Sequence, residues 1–368
     1  MRGLEARLRE YDGFDFPAFF TGVTHEDVGL VLAKDRLTVE DYLILLSPAA
    51  AGRLEEMARR AQRETRRHFG RTVQLFAPLY VSDYCVNGCV YCGFRRRAGF
   101  ARRQLSLGEV AREAGIISNM GIKHILLLTG EHPEKAGVAY IADCVRVLKD
   151  YFSSVAIEVY ALTGEQYEKL AAAGVDGMTM YQEVYQPEIY GRLHPAGPKR
   201  DYLFRLNAPE RACRAGMRTV TVGALLGLAP WRQEAFFTGL HAAYLQEHYP
   251  AVDLQMAPPR LRPYGGSFQP LSLVSDADLV QYITAYRIFM PHSGICLSTR
   301  ERGELRDHLV QLGVTKMSAG VSTAVGGYSA APRESQFEPA DGRSVEEIRL
   351  MLKANGYQPV FQDWHYLI

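Results

Sequence analysis

Short runs of branched apolar residues alternate with longer, polar-faced segments along the chain from residue 73 onward. Each short run has the length of a strand buried on both faces, and each longer segment spaces its apolar residues as an amphipathic helix does. The runs cover residues 73–80, 123–128, 155–159, 176–181, 218–224, 252–256, 294–298 and 315–319. Eight strands that alternate with helices over about 250 residues predict an α/β fold, the (β/α)8 TIM-type barrel.

Boundary signals support this alternation. Ser106 with Glu109 forms a capping box that begins a helix, and Gly121 ends the same helix just before the next strand. The sixth run is weak, because Pro258 and Pro259 follow it directly. An open, doubly wound sheet is therefore the alternative fold.

Helical segments flank the barrel pattern on both sides. Before it, Thr38 with Asp41 predicts the start of a helix, and after it a helix is predicted from Ser344 to Ala354. We therefore divide the chain into an N-terminal helical extension (1–72), a barrel (73–320) and a C-terminal tail that closes the barrel (321–368).

Composition and charge describe an ordinary globular chain. Of 368 residues, 47% are hydrophobic, and the charges nearly cancel at 42 basic against 41 acidic. A net charge near zero argues against non-specific binding of nucleic acid. No apolar run reaches the roughly 18 residues that span a membrane, and the N-terminus lacks the apolar core of a signal peptide. We expect a cytoplasmic protein that binds neither membranes nor nucleic acids.

The cysteines are distributed unevenly. Cys85, Cys89 and Cys92 fall within eight residues, directly after the first predicted strand, where a barrel carries catalytic loops. Structural zinc takes four ligands, and a complete iron–sulfur site usually takes four cysteines. Three cysteines on one loop can hold three irons of a 4Fe–4S cluster and leave the fourth iron open; a partial zinc site or three surface thiols is the alternative. The remaining cysteines are isolated and are predicted to be small buried apolar residues: Cys144, Cys213 and Cys296.

The cysteine spacing, with the aromatic Tyr91 before the last cysteine, resembles the signature of the radical S-adenosylmethionine (SAM) superfamily. Thr129-Gly130-Glu131, at the end of the second predicted strand, resembles the motif with which that superfamily binds the SAM amino group. The resemblance implies SAM and one 4Fe–4S cluster with three cysteine ligands. These ligands would be Cys85, Cys89 and Cys92.

Further stretches resemble the aromatic amino acid lyases of that superfamily, over nearly the whole chain. They are Ala77 to Cys85, Cys92 to Phe94, Leu128 to His132, Ile157 to Val159, Tyr181 to Tyr185, Pro259 to Pro263, Leu297 to Glu301, and Asp363-Trp364. They are most similar to the tyrosine lyases that make 2-iminoacetate (dehydroglycine) for the thiazole ring of thiamine. The resemblance implies cleavage of the Cα–Cβ bond of L-tyrosine to 2-iminoacetate and p-cresol. It implies no general acid or base, because a 5′-deoxyadenosyl radical made from SAM carries the reaction.

Three other functions stay open at this point. The first is tyrosine cleavage of the kind that matures [FeFe]-hydrogenase, in which a C-terminal segment carries three more cysteines; here no cysteine follows Cys296, which favours the thiamine branch. The second is a lyase for another aromatic amino acid, such as tryptophan. The third is a non-catalytic iron–sulfur scaffold or electron carrier, and the SAM-like motif argues against it.

The resemblance also assigns residues to SAM. Tyr91 would pack beside the adenine, Glu131 would bind the amino group, and Glu158 would bind the ribose hydroxyls. Gln182 would line the SAM pocket. Arg205 would pair with the SAM carboxylate, for which a forked guanidinium is well matched.

A second set of residues is assigned to the amino acid substrate. Arg300, after the seventh predicted strand, would bind the tyrosine carboxylate. Ser318 on the eighth strand and Tyr80 on the first would complete its polar contacts. Arg260 and Arg262 either face the phenol side or pair with barrel carboxylates, and the sequence does not decide between these.

Two protein partners follow from the same resemblance. Thiazole synthase would receive 2-iminoacetate, because that product hydrolyses readily in water. A flavodoxin or ferredoxin would reduce the cluster. The basic residues around the cysteine loop could steer such an acidic carrier, although they are also typical of a solvated face. They are Arg95, Arg96, Arg97, Arg102 and Arg103.

Overall fold

The structure is a computed structural model that describes residues 3–264, 266–329 and 335–362. Eight parallel strands close into a barrel, because the first strand pairs with both the second and the eighth. The strands are β1 (Thr72–Ser82), β2 (His124–Thr129), β3 (Ser154–Glu158), β4 (Gly177–Glu183), β5 (Thr219–Ala224), β6 (Asp253–Met256), β7 (Gly294–Leu297) and β8 (Lys316–Ser318). Each predicted run overlaps one of them, so the (β/α)8 prediction is confirmed and the open-sheet alternative is wrong.

Helices surround the barrel and precede it. Those before β1 are α1 (Leu4–Arg9), α2 (Phe16–Gly22), α3 (His25–Ala33), α4 (Val39–Leu45), α5 (Pro48–Ala51) and α6 (Leu54–Phe69). Those between the strands are α7 (Leu107–Asn119), α8 (Val138–Lys149), α9 (Gly164–Ala173), α10 (Pro187–Leu193), α11 (Tyr202–Leu206), α12 (Ala208–Arg214), α13 (Trp231–His248), α14 (Asp276–Phe289) and α15 (Gly303–Leu309). The predicted capping boxes at Thr38 and Ser106 are present, with both reciprocal hydrogen bonds formed.

After β8 the chain returns across the barrel and then to its outer edge. Helix α16 (Val345–Ala354) begins at the predicted cap, Ser344, and β9 (Gln358–Val360) pairs in parallel with the start of β1. No pattern in the sequence predicted β9. The Asp363-Trp364 motif lies outside the described residues.

The segment 335–343 is fixed across the carboxyl ends of the strands. The backbone N–H of Ala340 donates to the carbonyl of Thr299 at 2.7 Å, after β7, and that of Glu338 donates to the carbonyl of Pro263 at 3.0 Å, after β6. The carboxylate of Asp341 is buried and pairs with the buried Arg306 of α15. This segment therefore contributes to the face on which barrel enzymes carry their active sites.

No helix among the residues described is both long and apolar enough to cross a lipid bilayer.

Candidate active site

The three clustered cysteines line one cavity at the carboxyl end of the barrel. This cysteine cavity has a volume of about 610 Å³. Burial raises the pKa of Cys89 to about 12 and also raises the pKa of Cys92. Within the described part of the chain, no three His, Cys, Asp or Glu side chains converge closely enough to hold a single metal ion. An iron–sulfur cluster is a larger group and takes one thiolate per iron, so three cysteines around a shared cavity fit it.

The loop that carries the cysteines is interlocked with its neighbours. At Gly130, after β2, a Cβ atom would collide with the carbonyl oxygen of Tyr84, so only glycine permits this close approach of the two backbones. At Gly93 a Cβ atom would lie 2.7 Å from the carbonyl oxygen of Gln336, in the segment 335–343. The glycine of the Thr-Gly-Glu motif is therefore needed by the cysteine loop itself.

Glu131 lines the cysteine cavity and is tied to the cysteine loop. Its carboxylate accepts a hydrogen bond from Asn87 Nδ2 at 2.6 Å, and its backbone carbonyl accepts one from Val86 N at 2.8 Å. Asn87 Oδ1 in turn accepts a hydrogen bond from the backbone N–H of Lys199 at 3.0 Å. One carboxylate oxygen of Glu131 is engaged in this way, and the other accepts no hydrogen bond from the described part of the chain.

Glu183, Lys199 and Arg205 form a buried charge cluster on the same cavity. Lys199 Nζ lies 2.7 Å from Glu183 Oε1, and an Arg205 guanidinium nitrogen lies 3.3 Å from the same oxygen. Burial raises the pKa of the Glu183 carboxyl, but Lys199 and Arg205 outweigh burial and hold this pKa below its ordinary value. Lys199 and Arg205 together carry one more charge than Glu183 neutralises, so this part of the cavity wall suits a ligand carboxylate, whereas Glu131 and Glu158 lie elsewhere on the cavity lining.

Gln182, which was predicted to line the SAM pocket, does not line the cysteine cavity. Tyr181 and Glu183 line the cysteine cavity, and Gln182 points away from it. Gln182 is buried, and its side-chain amide has no hydrogen-bond partner among the residues described. The register of β4 with β5 shifts between Tyr181 and Glu183, and Glu183 has a positive φ of 71°. The side chains of this motif that line the cysteine cavity are therefore Tyr181 and Glu183, and Gln182, which was predicted to line the SAM pocket, does not line it.

Tyr91 is held by a histidine that the sequence analysis missed. Its hydroxyl lies 2.7 Å from His194 Nε2, and His194 Nδ1 lies 2.8 Å from the carbonyl oxygen of Tyr190. Because Nδ1 must donate to that carbonyl, Nε2 accepts from the tyrosine. Burial lowers the pKa of His194 to about 3, so the ring is neutral. No motif in the sequence distinguishes this histidine from the other nine.

A second cavity lies in the interior of the barrel. The three residues predicted to bind the substrate, Tyr80, Arg300 and Ser318, all line this barrel cavity. The hydroxyl of Tyr80 donates to Gln336 Oε1 at 2.8 Å. The hydroxyl of Ser318 is buried and has no hydrogen-bond partner among the described residues.

Arg300 carries no ion pair to any residue that the structure describes. Its guanidinium carbon lies 3.7 Å from the ring centre of Phe337, and its one hydrogen bond reaches the carbonyl oxygen of Arg260 at 3.4 Å. The stacked ring holds the cation in place without neutralising it. Arg300 is therefore ready to bind an anionic group inside the barrel.

A third cavity joins the other two. This connecting cavity, of about 510 Å³, is lined by Tyr91 and Cys92 on one side and by Arg262 and Arg300 on the other. Glu158 lines all three cavities. A ligand at the cysteines and a ligand at Arg300 would therefore meet at Glu158.

The isolated cysteines and Arg260 differ in whether they lie in the core, in a cavity or in an ion pair. Cys144 and Cys213 are buried in the core, whereas Cys296 faces the barrel cavity. Arg260 pairs with the carboxylates Glu301 and Asp276. Gln336 and Phe337 were not predicted to be part of the site; they reach it only through the long return of the chain after β8.

Glu158 provides a test of this electrostatic environment. Burial raises its pKa from 4.5 to about 7, against the opposing charge of Arg300. Because the folded pKa is raised, the contribution of this group to folding is full below about pH 4.5 and is lost as the pH rises through about 7. We expect the stability advantage of the ligand-free wild type over Glu158→Gln to fall by about 1–2 kcal/mol between pH 5 and pH 8, because cavity water screens part of the effect.

The measurement is urea unfolding of both proteins across that pH range. The pKa of Glu234 is also raised to about 7 by burial, but Glu234 is present in both proteins and cancels in the difference. A difference in stability that does not change with pH would contradict the prediction.

Two parts of the chain match known protein families. Residues 79–232 match the radical SAM superfamily, and residues 257–358 match the biotin and thiamin synthesis associated domain. The chain is 40% identical over 366 residues to 2-iminoacetate synthase of Escherichia coli (strain K12), covering 99% of this chain and 97% of that protein. It is 39% identical to 2-iminoacetate synthase of Salmonella typhimurium over 99% of this chain and 97% of that protein.

Solved structures resemble the fold over most of its length. HydG, a maturase of the [FeFe]-hydrogenase, superposes with a TM-score of 0.89 at 33% identity, covering 94% of this chain and 78% of that chain. Methylornithine synthase (PylB) superposes with a TM-score of 0.72 at 20% identity, covering 91% of this chain and 97% of that chain, and at that identity the likeness shows the fold alone.

Proposed function

The chain belongs to the 2-iminoacetate synthase family of the radical SAM superfamily, and from this premise we propose that it is a carbon–carbon lyase that cleaves L-tyrosine to 2-iminoacetate and p-cresol. A bound 4Fe–4S cluster with SAM would supply a carbon-centred radical that removes a hydrogen atom from the substrate. One observation carries the proposal: the cysteine cavity adjoins, at Glu158, a barrel cavity whose Arg300 has no ion pair to the residues that the structure describes.

The residues of the cysteine cavity, together with Tyr91 of the connecting cavity, bind the cluster and SAM. Cys85, Cys89 and Cys92 hold the cluster, and Tyr91 packs beside the adenine. Arg205 shares the carboxylate of Glu183 with Lys199, so its charge is only partly neutralised, and it binds the SAM carboxylate. Glu131 accepts from the SAM amino group through its free oxygen, and Glu158 accepts from the ribose hydroxyls.

The barrel cavity binds tyrosine by its amino acid end. Arg300 pairs with the carboxylate, and Ser318 and Tyr80 complete the polar contacts. Fixing the carboxylate beside Glu158 holds the amino group toward the SAM side, which decides the hydrogen atom that is offered. We propose that the tail, residues 321–368, closes this cavity, since Gln336 and Phe337 line it or its neighbours, and closure keeps the reactive intermediate from water.

The test is an anaerobic assay of the iron- and sulfide-reconstituted protein with SAM, dithionite and L-tyrosine. We expect p-cresol, 5′-deoxyadenosine and glyoxylate, which is the hydrolysis product of 2-iminoacetate. A parallel reaction with L-tryptophan should give no p-cresol. 5′-Deoxyadenosine without p-cresol would contradict tyrosine as the substrate. Failure to cleave SAM with an intact cluster would favour the scaffold or electron-carrier alternative.

Hydrogenase-type tyrosine cleavage is the second candidate. It is favoured by the superposition with HydG, but the sequence identity to HydG is 33%, against 40% to the Escherichia coli 2-iminoacetate synthase. The two functions share the first cleavage and differ in the fate of the imino acid. Accumulation of glyoxylate supports the thiamine function, and further conversion of the imino acid to other products by this chain alone would support the hydrogenase-type function.

We also propose that a thiazole synthase consumes the product directly in the cytoplasm, where free thiols persist. 2-Iminoacetate is lost to water, so direct transfer protects it. Adding excess thiazole synthase should lower the yield of glyoxylate without lowering that of p-cresol. Equal loss of both products, or of neither, would contradict transfer between the two proteins.

An acidic flavodoxin or ferredoxin is the proposed reductant, and its docking surface can be tested. Arg95, Arg96 and Arg97 line a groove of about 1100 Å³ beside the cysteine loop, together with Tyr264 and Phe268. In the double variant Arg96→Glu/Arg97→Glu, both changes fall on exposed residues, so the fold is retained. We expect turnover with reduced flavodoxin at low salt to fall about tenfold, because steering depends on charge.

Dithionite is the control for this variant. A small chemical reductant does not need the arginines, so its rate should be unchanged. Equal rates of wild type and variant with flavodoxin at low salt would remove the docking role.

A further inference from the structure

A pocket on the outer side of the barrel mouth shares a wall with the active site. This outer pocket, of about 750 Å³, lies between the loops that follow β5, β6 and β7. Three of the residues that line it, Leu261, Arg262 and Arg300, also line the connecting cavity. Whatever moves between the outer pocket and the active site by this path must therefore pass these three side chains.

The outer pocket carries more positive than negative charge. Four arginines line it against two carboxylates, Asp276 and Glu301. Arg260 pairs with both carboxylates, lying 2.8 Å from Asp276, and Arg302 lies 2.6 Å from the second oxygen of Asp276. Both carboxylates are therefore already engaged. The excess charge resides on Arg262 and Arg300.

Arg262 is the residue whose binding capacity is unused. It has neither an ion pair nor a hydrogen bond to the residues that the structure describes, and its Nε atom is buried without a partner. Leaving a buried donor unsatisfied is costly, and an anionic ligand with two oxygens would satisfy it. Arg260, which the sequence analysis could not separate from Arg262, is fully paired.

We propose that the outer pocket is a passage for small α-amino and α-imino carboxylates, with Arg262 as its binding residue. The proposal rests on the proposed function and deepens it. L-Tyrosine would pass inward from Arg262 to Arg300, and 2-iminoacetate would leave by the reverse path. Because both guanidinium groups line the same connecting cavity, the carboxylate would keep a cationic partner during the transfer. p-Cresol has no carboxylate and therefore forms no ion pair with Arg262.

The test compares Arg262→Gln with wild type in the reconstituted enzyme. We expect KM for L-tyrosine to rise about tenfold with kcat changed less than about twofold, as loss of a charge-assisted hydrogen bond predicts. Inhibition by added glyoxylate, a stable carboxylate that stands for the product, should weaken by a similar factor. Inhibition by added p-cresol should not change. Arg262→Lys, which keeps the charge but loses the fork, should lie between the two.

Arg302→Gln is the matched control. It removes the same charge from the same pocket, but its guanidinium is 59% exposed and already paired with Asp276. Equal effects of Arg262→Gln and Arg302→Gln would overturn the proposal, because they would show that only the total positive charge of the pocket matters and not a specific contact with Arg262. Unchanged KM and unchanged glyoxylate inhibition in Arg262→Gln would also overturn it.

Two further measurements separate the possible failures. Thermal unfolding of Arg262→Gln must match wild type, and Arg262→Lys serves as the test protein if it does not. If wild type makes no p-cresol, the proposed function has failed. Calorimetric binding of glycine and L-tyrosine to the cluster-loaded protein then tests the passage alone, and the proposal is overturned if Arg262→Gln binds them as wild type does.

Discussion

Replacing Cys92 by alanine is expected to abolish the cleavage of SAM and, with it, all formation of p-cresol. Cys92 lines both the cysteine cavity and the connecting cavity, and it is one of the three proposed cluster ligands. With two ligands left, the cluster is lost or altered, since thiolates supply the coordination. The measurements are iron content, the electron paramagnetic resonance signal of the reduced protein, and 5′-deoxyadenosine.

Cys144→Ala is the control for this variant. Cys144 is fully buried in α8 and contacts the apolar core, so its removal costs about 1 kcal/mol of stability but no ligand. It should keep full iron content and activity. If Cys92→Ala retained a wild-type cluster signal and cleaved SAM, the assignment of the three cysteines would be wrong.

Replacing Arg300 by glutamine is expected to lower kcat/KM for L-tyrosine by about 10²–10³-fold. The guanidinium has no carboxylate partner among the described residues, so the substrate carboxylate would be its counter-ion within the barrel cavity. Removing one member of such a desolvated pair costs about 2–5 kcal/mol. The effect should appear mainly in KM, as measured by p-cresol formation over a range of tyrosine concentrations.

The slow cleavage of SAM in the absence of tyrosine is the control. Arg300 does not line the cysteine cavity, so this uncoupled reaction should continue at the wild-type rate. Arg300→Lys should recover part of the affinity, because it restores the charge without the fork. A wild-type KM in Arg300→Gln would contradict the role of this arginine.

The fold could be predicted from the sequence because its signals are local. The apolar runs found β1 to β8, and the paired caps found the starts of α4, α7 and α16. Those signals reside in residues only a few positions apart, which share one helix turn or one strand face. The strand β9 was missed because its residues, Gln358, Pro359 and Val360, form no run of apolar residues and include a proline.

Parts of the site could not be predicted because they depend on contacts distant in the chain. His194 acts on Tyr91 across 103 positions, and Gln336 meets Tyr80 across 256. Glu183 was missed for a different reason. The resemblance pointed to the right three-residue stretch, but which of its side chains enters the cavity depends on strand alternation and on a bulge that the sequence does not reveal.

The contact between Gly93 and Gln336 has a consequence for the biogenesis of the protein. The cysteine loop follows the first barrel strand, yet it packs against a segment that the ribosome makes near the end of the chain. The loop also rests on the backbone of residues 193–199, made midway. A nascent chain that has just emerged with its cysteines therefore lacks the surfaces that shape their loop. Iron and sulfide should accordingly be acquired after translation, by a chain that is already folded.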